Sequence, residues 1–462
     1  MNDVMQNPAS FRDPRGSIYQ VDQRILRTVM PVAAADFDFV RSSGLIEKLI
    51  NSGKLIAEQQ VDNTILGEVG QSASYVLEHP RLALISYPYE WTFAALKAAA
   101  LLQLDIILEA LDHGVMLTDA SAYNIQFQGT QPIFIDHLAF RRYQPGEIWQ
   151  GHRQFCEQFL NPLLLQAYLG VPFNHHYRGA LEGITAATLK KLLPFYRKII
   201  PKVFLHVVLQ SSLQKTSSSD AVKVLPKINM PLDGLRNLVK GLRRWISGLH
   251  PHKITVSTWQ NYAQEHTAPT QKLALVTEFI KTVQPNIVYD LGCNTGIYAK
   301  TALQAGANNV FGFDGDHGAL EQAFNNAKSE QLNFLPLVMD LVDPSPAQGW
   351  ANLERQSFTQ RAKADALFAL ALVHHLAIGK NIPLSQLINW LLDIAPQGLL
   401  EFVPKSDPMV QELLRLREDI FADYTEDNFL QCIKQRAEIV KQVRVVGSER
   451  MLVWYSKKNI KM

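Results

Sequence analysis

The chain has 462 residues, of which 47% are hydrophobic and 19% are charged, and its formal net charge is +2. This length exceeds what one hydrophobic core organises, so two or three domains are expected. The charge balance gives no indication of a nucleic-acid partner, and no run of about 18 apolar residues predicts a membrane span. The three cysteines, Cys156, Cys293 and Cys432, are too far apart for a disulfide framework or a CxxC zinc site. We therefore expect a cytoplasmic protein in a reducing compartment.

The first half of the chain alternates strand patterns with helical ones. Residues 11–19 place β-compatible flanks around Pro14-x-Gly16, which predicts a hairpin. Residues 81–87 have the composition of a strand, and residues 92–113 predict a long helix. An α+β domain over residues 1–208 is expected.

The segment after that helix carries polar residues in a specific order. Asp119 precedes Asn124 by five residues, and a later apolar run ends at Asp136. This order resembles the catalytic segment of protein-kinase-like and aminoglycoside-phosphotransferase-like folds. The resemblance implies a catalytic base at Asp119, metal ligands at Asn124 and Asp136, and binding of Mg-ATP. Leu117 and His137 depart from the pattern, which has histidine and Phe-Gly there, and no glycine-rich phosphate loop is found. An unrelated α+β domain with a chance Asp/Asn pattern is the alternative.

A change of composition separates the two halves. A serine-rich stretch at 210–220 is typical of a linker. It is followed by basic residues between leucines, including Arg236 and Arg243. Residues 209–254 are therefore predicted to be a linker and a basic helical connector. This helix is a docking helix, a patch for an acidic acceptor, or a helix with a solvated basic face.

The most informative pattern lies at residues 286–296. A short apolar strand ends in Asp290, and Gly292 and Gly296 complete the motif Asp-x-Gly-x-x-x-Gly. Dinucleotide-binding folds have a glycine where Asp290 stands, because a carboxylate there would repel a pyrophosphate. An acid suits a ligand with an ammonium and a sulfonium. The motif resembles that of the class I S-adenosylmethionine (SAM) methyltransferases, which implies a Rossmann-like, seven-stranded, doubly wound α/β sheet over residues 255–462.

Further acids follow the next two predicted strands. Asp314 comes roughly 20 residues after the first glycine, the position from which an acid reaches a ribose diol. Asp340 ends the third strand and is placed to face an adenine amino group. Ordinary turn or helix-cap acids are the alternative. Cys293 is interpreted as a small filler of the loop more than as a nucleophile. The predicted cofactor-binding residues are Asp290, Gly292, Cys293, Asn294, Gly296, Asp314, Gly315, Asp340 and Leu341.

Candidates for the chemistry follow the fourth and fifth strands. His374 and His375 come after one apolar run, and Glu401 lies in the next. We predict that His375, then His374, and Glu401 act as a base or orient the acceptor beside the methyl group. In the alternative, one histidine packs under the cofactor and the other faces solvent. No metal-ligand spacing occurs in this half, so no metal site is predicted there.

Segments in both halves resemble one bacterial group. Residues 401–411, 417–424 and 448–452, with residues 11–16 and 118–136, are similar to SAM-dependent methyltransferases related to a host-specificity nodulation protein. The resemblance implies a cytoplasmic enzyme with a C-terminal methyltransferase domain and implies little about its acceptor.

Two hypotheses follow. The first is a SAM-dependent methyltransferase acting on an oxygen or nitrogen of a small molecule or glycan. The second is a nucleotide-binding, kinase-like or regulatory protein whose methyltransferase fold is a SAM sensor or scaffold. Neither requires a nucleic-acid partner, and the oligomeric state stays open.

Overall fold

The computed structural model describes residues 4–212, 229–252 and 270–457. Residues 213–228 and 253–254 of the predicted connector lie outside the described residues. The chain divides into two compact units. The first comprises Met1–Ile254 with Ala347–Arg355, and the second comprises Thr255–Pro346 with Gln356–Met462. Every helix in the described ranges is too short or too polar to cross a membrane.

An antiparallel sheet begins the first unit. Its five described strands, in the order β1-β2-β3-β5-β4, pair in antiparallel fashion throughout. Two short antiparallel pairs, β6 with β9 and β7 with β8, follow. The strands are β1 (Val4–Gln6), β2 (Ile18–Val21), β3 (Arg24–Val29), β4 (Gln59–Val61), β5 (Tyr75–His79), β6 (Val115–Leu117), β7 (Ile125–Gln128), β8 (Gln131–Phe134) and β9 (Phe140–Arg142).

Two strand predictions in this unit are wrong. The hairpin turns at residues 22–23, between β2 and β3, whereas Gly16 lies in a turn where its N–H donates to the Asp13 carbonyl at 3.4 Å. Residues 81–87 form no strand. The N–H groups of Ser86 and Tyr87 donate instead to the side chains of Gln126 and Glu90, at 2.9 Å each, so these two groups need no neighbouring strand.

Helices form the rest of the first unit. The predicted long helix is confirmed as Phe93–Asp112, with the Thr92 hydroxyl capping the Ala95 N–H. Cys156–Leu160 and Phe204–Leu209 are π-helical. The α-helices are α1 (Pro31–Ser42), α2 (Leu45–Asn51), α3 (Glu68–Gln71), α4 (Phe93–Asp112), α5 (His152–Phe155), α6 (Asn161–Leu169), α7 (Asn174–Gly179), α8 (Ala186–Leu192), α9 (Phe195–Lys198), α10 (Pro201–Val203) and α11 (Leu232–Ser247).

The basic segment forms α11, which packs on α4. Leu235, Val239 and Leu242 are buried along one face. Arg236 donates to Asp112 at 2.8 Å, and Arg243 pairs with Asp105, so acids of α4 receive these two arginines. The basic face is thus partly neutralised within the first unit.

Residues 347–355 belong to the first unit although the chain on either side of them belongs to the second. Glu354 accepts from Arg12 at 2.5 Å, and Gln348 donates to the Arg178 carbonyl at 2.6 Å. The Arg355 guanidinium lies 4.1 Å from the centre of the Tyr123 ring, a cation–π contact.

A mainly parallel sheet forms the second unit and confirms the predicted mixed α/β fold. Its seven described strands have the order β12-β11-β10-β13-β14-β16-β15, and β16 runs antiparallel to both of its neighbours. The strand order reverses between β10 and β13, where ligands of open α/β sheets bind. The strands are β10 (Ile287–Leu291), β11 (Asn309–Asp314), β12 (Phe334–Val338), β13 (Ala366–Ala369), β14 (Gln397–Phe402), β15 (Ala437–Arg444) and β16 (Met451–Lys457).

Apolar residues between the helices and this sheet form its core. Val288 of β10 and Phe368 of β13 are fully buried with Phe279, whose ring contacts Phe368 edge to face at 5.8 Å. The helices are α12 (Thr270–Val283), α13 (Ile297–Ala305), α14 (His317–Ser329), α15 (Phe358–Arg361), α16 (Val373–Ala377), α17 (Leu384–Ile394), α18 (Pro408–Leu414) and α19 (Glu426–Arg436).

Candidate functional site

The turn between β10 and α13 requires its glycines. Gly292 and Gly296 have φ of 76° and 82°, in the left-handed region, and Asn294 has φ of 47°. A Cβ on Gly296 would also lie 2.4 Å from the Phe334 ring. The helix therefore begins close against the sheet, and its first N–H groups are directed to the carboxyl end of β10.

Asp290 is a buried carboxylate at the end of β10. Its side chain is 1% exposed, and neither oxygen has a hydrogen bond of normal geometry among the described residues. Burial, and then the negative charge of Asp314, raise the pKa of Asp290 to about 7, while the nearby Ala299 N–H acts in the opposite direction. A carboxylate in this setting is a site for a cation or a hydrogen-bond donor.

Asp314 ends the neighbouring strand and holds the glycine turn. One oxygen accepts the Asn294 N–H at 2.9 Å, and the other accepts the Asp316 N–H at 2.9 Å. The carboxylate is only half-buried, so lone pairs remain accessible to a ligand. Burial raises its pKa. The structure thus brings Asp290, Asp314 and the glycine turn together.

The other predicted cofactor residues differ in their surroundings. Cys293 is buried in the core, and burial raises the pKa of its thiol. Its sulfur packs so closely on Gly312 that a Cβ there would lie 2.6 Å away, which fits the interpretation of Cys293 as a small filler. Gly315 and Asp340 are exposed, and Leu341 is 9% exposed. Asp340 caps the Val342 N–H at 3.0 Å and stands one strand beyond Asp314.

Glu401 is fully buried and is already paired with cations. Its two oxygens accept from the Lys272 ammonium at 2.7 Å each, and one also accepts the Ala371 N–H at 2.7 Å. The Arg450 guanidinium lies 3.7 Å from it and donates to Asp407 at 2.7 Å. Ala371 begins the loop before α16 and has φ of 52°. Because Glu401 accepts the N–H of this residue, its contacts favour a role in positioning the loop.

His374 and His375 lie together on α16, with ring centres 4.0 Å apart. His374 is 1% exposed, and its Nδ1 has no hydrogen-bond partner in the described part of the chain. Burial, helped by the positive charge of Arg450, lowers the pKa of His375 to about 4; burial and His375 lower that of His374 to about 2. Both imidazoles are therefore neutral near pH 7 and have a basic nitrogen.

Sequence reasoning missed Lys272 and Arg450. Lys272 shares the spacing of Leu275, Val276 and Phe279, the buried face of α12, and a lysine in such a stripe needs an acidic partner. Arg450 lies beside β16, antiparallel to β14, a pairing that sequence spacing does not reveal.

The kinase-like candidates lie in the first unit. Asp119 accepts from the Asn124 amide at 3.1 Å and from the Ser121 N–H at 2.8 Å. Burial, and then the charge of Asp136, raise its pKa. Asp136 is 8% exposed and accepts from Arg27 at 2.8 Å. The three residues are brought together, but the Asp136 carboxylate is already paired with the Arg27 guanidinium.

Comparison with known proteins places the chain in a family. It is 42% identical over 455 residues to nodulation protein NoeA of Rhizobium meliloti (strain 1021), which covers 97% of this chain and 95% of that protein. The chain belongs to the NoeA family. Within this family member, residues 263–369 match the family of ribosomal protein L11 methyltransferases (PrmA). That match includes the glycine turn and strands β10 to β13, and together with NoeA it supports a methyltransferase.

Solved structures show lower similarity to this NoeA-family chain. One is the magnesium protoporphyrin IX methyltransferase (ChlM) of Synechocystis PCC 6803 with bound SAH, 16% identical over 47% of this chain and 95% of that chain, with a TM-score of 0.31. Another is the N-methyltransferase NodS of Bradyrhizobium japonicum WM9, 10% identical over 41% and 95% of the chains, with a TM-score of 0.31. A third, the bifunctional kinase-methyltransferase WbdD, is 18% identical over 40% and 39%, with a TM-score of 0.28.

Replacing Lys272 by Met should destabilise the second unit because Glu401 would lose its nearest cation. We expect the free energy of unfolding to fall by about 3 to 5 kcal/mol, and most of the loss to be recovered in Lys272→Met/Glu401→Gln. Urea unfolding measures both variants. Lys281→Met, at an exposed position of α12, should change stability by less than about 0.5 kcal/mol. Equal losses in the single and double variants would contradict this account.

The buried Asp290 predicts a pH dependence of stability. Its pKa is raised from 3.8 to about 7 in the folded state, so the folded chain holds this proton over a range where the unfolded chain has released it. Stability should therefore fall as the pH rises from 4 to 7, with a slope from this residue of up to about 1.4 kcal/mol per pH unit. Asp290→Asn should remove that slope in ligand-free protein.

Urea unfolding at several pH values between 5 and 8 tests this dependence. The exposed Asp340→Asn serves as the control and should keep the wild-type slope. Parallel profiles for wild type and Asp290→Asn would mean that Asp290 is not protonated in the folded state.

Proposed function

We propose that the second unit binds SAM and transfers its methyl group to an oxygen or nitrogen of a small molecule or glycan. The observation that carries this proposal is the Asp290 carboxylate, which is buried without a cation among the described residues, beside a turn in which Gly292 and Gly296 have left-handed φ. The family match over residues 263–369 supports it independently.

The charges of the ligand fit the charges of the site. Two carboxylates, Asp290 and Asp314, lie at the ends of neighbouring parallel strands, and after burial the charge of Asp314 raises the pKa of Asp290. SAM carries an ammonium and a sulfonium, so its binding would compensate both acids. Since an unpaired buried charge is costly, binding of a cationic ligand would lower the free energy of the charged site.

The adenosine part of SAM is assigned to the next strands. Asp314 can accept hydrogen bonds from both ribose hydroxyls, because its two oxygens have further lone pairs after binding the turn. Asp340 follows β12 and is exposed for the adenine amino group, with Leu341 beside it for the ring. Gly292 and Asn294 allow the backbone to approach the ligand.

Methyl transfer requires in-line alignment of the acceptor, the methyl carbon and the sulfur. Most of the rate enhancement should come from holding the reacting atoms about 3 to 3.5 Å apart. His375 is proposed as the base or acceptor-orienting residue, because its imidazole is neutral and it is more exposed than His374. His374 would pack behind it, and Glu401 would position the loop through Ala371.

Isothermal titration of the full chain with SAM tests the binding assignment. Asp314→Asn should weaken SAM binding by at least about 10-fold through loss of charge-assisted hydrogen bonds worth about 1.5 kcal/mol or more. Asp427→Asn, an exposed acid in the first turn of α19, should bind as the wild type does. Absence of SAM binding by the folded wild-type chain would overturn the proposal.

His375→Gln tests the chemical assignment separately. With labelled SAM and fractions of a cell extract as acceptor, turnover should fall by about 10² to 10⁴-fold if the imidazole assists proton removal. SAM affinity should stay unchanged, because this residue is assigned to the acceptor side. The control is His175→Gln, an exposed histidine of a second His-His pair on α7. SAM binding without labelled product in any fraction would favour the sensor hypothesis.

The kinase-like alternative has weaker support in the geometry. Asp119 and Asn124 are in contact, as a metal site would need, but Arg27 donates to Asp136 at 2.8 Å and competes with a metal ion there. Binding of Mg-ATP remains a prediction that titration of wild type and Asp136→Ala would test.

A further inference from the structure

We propose that His152, Cys156 and His206 of the first unit form a binding site for a divalent metal ion of the zinc type. The Nε2 atom of His152 lies 3.2 Å from Nδ1 of His206 and 3.7 Å from the sulfur of Cys156. One ligand atom of each residue lies within 4.8 Å of the other two. Among the described residues, this group has a combination of donors suited to a soft or borderline metal.

The separations match the edges of a tetrahedron around zinc. Zn–N bonds of about 2.0 to 2.1 Å and Zn–S bonds of about 2.3 Å place two nitrogens about 3.3 Å apart, and a nitrogen and a sulfur about 3.6 Å apart. The observed 3.2 Å and 3.7 Å agree with both values. Two of the three edges therefore already fit, and the third, between His206 and Cys156, joins ligand atoms within 4.8 Å of each other.

The helices explain why the three side chains converge. His152 begins α5 and Cys156 follows four residues later, so both lie on one face of a continuous helical segment. His206 comes from Phe204–Leu209, a segment about 50 residues further along the chain in which the backbone is π-helical. Cys156 also begins a π-helical stretch, and such stretches are frequent at functional sites.

The surroundings allow an ion to enter and to be held. Cys156 is 0% exposed and His206 is 6% exposed, whereas His152 is half-buried and is the most exposed of the three. The Glu157 carboxylate near Cys156 favours a cation but is also paired with Arg153 at 3.1 Å, and the Lys202 ammonium near His206 opposes one. Two neutral imidazoles and a thiolate would leave a net charge of +1 on a Zn²⁺ complex. Water would complete a four-coordinate site.

The metal-free interpretation is a hydrogen-bonded trio in which an imidazole N–H bridges a nitrogen and a thiol. Metal titration distinguishes the two. The full chain, purified without a polyhistidine tag and treated with a chelator, should bind one equivalent of Zn²⁺ against a chromophoric competitor. Co²⁺ in place of Zn²⁺ should give the intense visible bands of tetrahedral coordination and a near-ultraviolet thiolate-to-cobalt charge-transfer band.

Variants assign the ligands. Cys156→Ser should abolish the charge-transfer band, and His206→Asn and His152→Gln should each weaken Zn²⁺ binding by more than about 100-fold, since even outer-shell partners are worth 10- to 100-fold. Cys432→Ser, a free cysteine of the second unit, should keep the wild-type spectrum. Circular dichroism checks the fold of each variant. If Cys156→Ser unfolds, His152→Gln at the half-buried position still tests the site.

The metal should also stabilise the first unit, because the ion binds only where the three ligands converge. At a free Zn²⁺ concentration 100 times the dissociation constant, the stabilisation is about 2.7 kcal/mol. A Co²⁺ spectrum without thiolate charge transfer in folded wild-type protein, or one unchanged in all three variants, would overturn the proposal. So would the failure of Zn²⁺ to bind more tightly than it binds the folded Cys156→Ser chain.

Discussion

The central constraint on the second unit is that its sheet buries two carboxylates, and a buried carboxylate needs a compensating partner. Asp290 on β10 and Glu401 on β14 are both buried, on strands separated by β13. Glu401 has Lys272 at 2.7 Å and Arg450 at 3.7 Å. Asp290 has no cation among the described residues, and its pKa rises to about 7 as a result of burial and of Asp314. The chain itself neutralises Glu401, whereas Asp290 is the carboxylate that the proposed function assigns to the ligand.

Several residues around the candidate site hold its loops in place. Lys272 fixes Glu401, which fixes the Ala371 N–H at the start of the loop that leads to the two histidines. On the other side of β13, Asp314 fixes the glycine turn through Asn294. The loops after β10 and β13 are thus held by acids on the adjacent strands, β11 and β14, which is an arrangement that parallel strand ends make available.

The sequence predicted the parallel strands, the glycine turn and the grouping of Asp290 with Asp314, because these features are local or follow from the order of strands. It did not predict the hairpin at residues 22–23, since Pro14-x-Gly16 is the stronger turn signal and the observed turn holds Asp22 at φ of 53°. Nor did it identify the partners of Glu401. Lys272 is 129 residues away, and only the packing of α12 on the sheet joins them.

The first unit shows the same limit. Asp119, Asn124 and Asp136 were grouped by spacing, but Arg27, which donates to Asp136, comes from β3 and from 109 residues earlier in the chain. The trio of His152, Cys156 and His206 combines a local i,i+4 pair with a distant residue. Only the local pair can be read from sequence spacing.

The assignment of residues 347–355 to the first unit bears on the protein's modular history and on how it can be dissected. Cutting the chain once between the units would leave the N-terminal piece without residues 347–355, which include Glu354, the partner of Arg12. Gene fission or domain shuffling at one breakpoint would therefore yield an incomplete half. An expressed N-terminal piece would need residues 347–355 supplied to it to be complete.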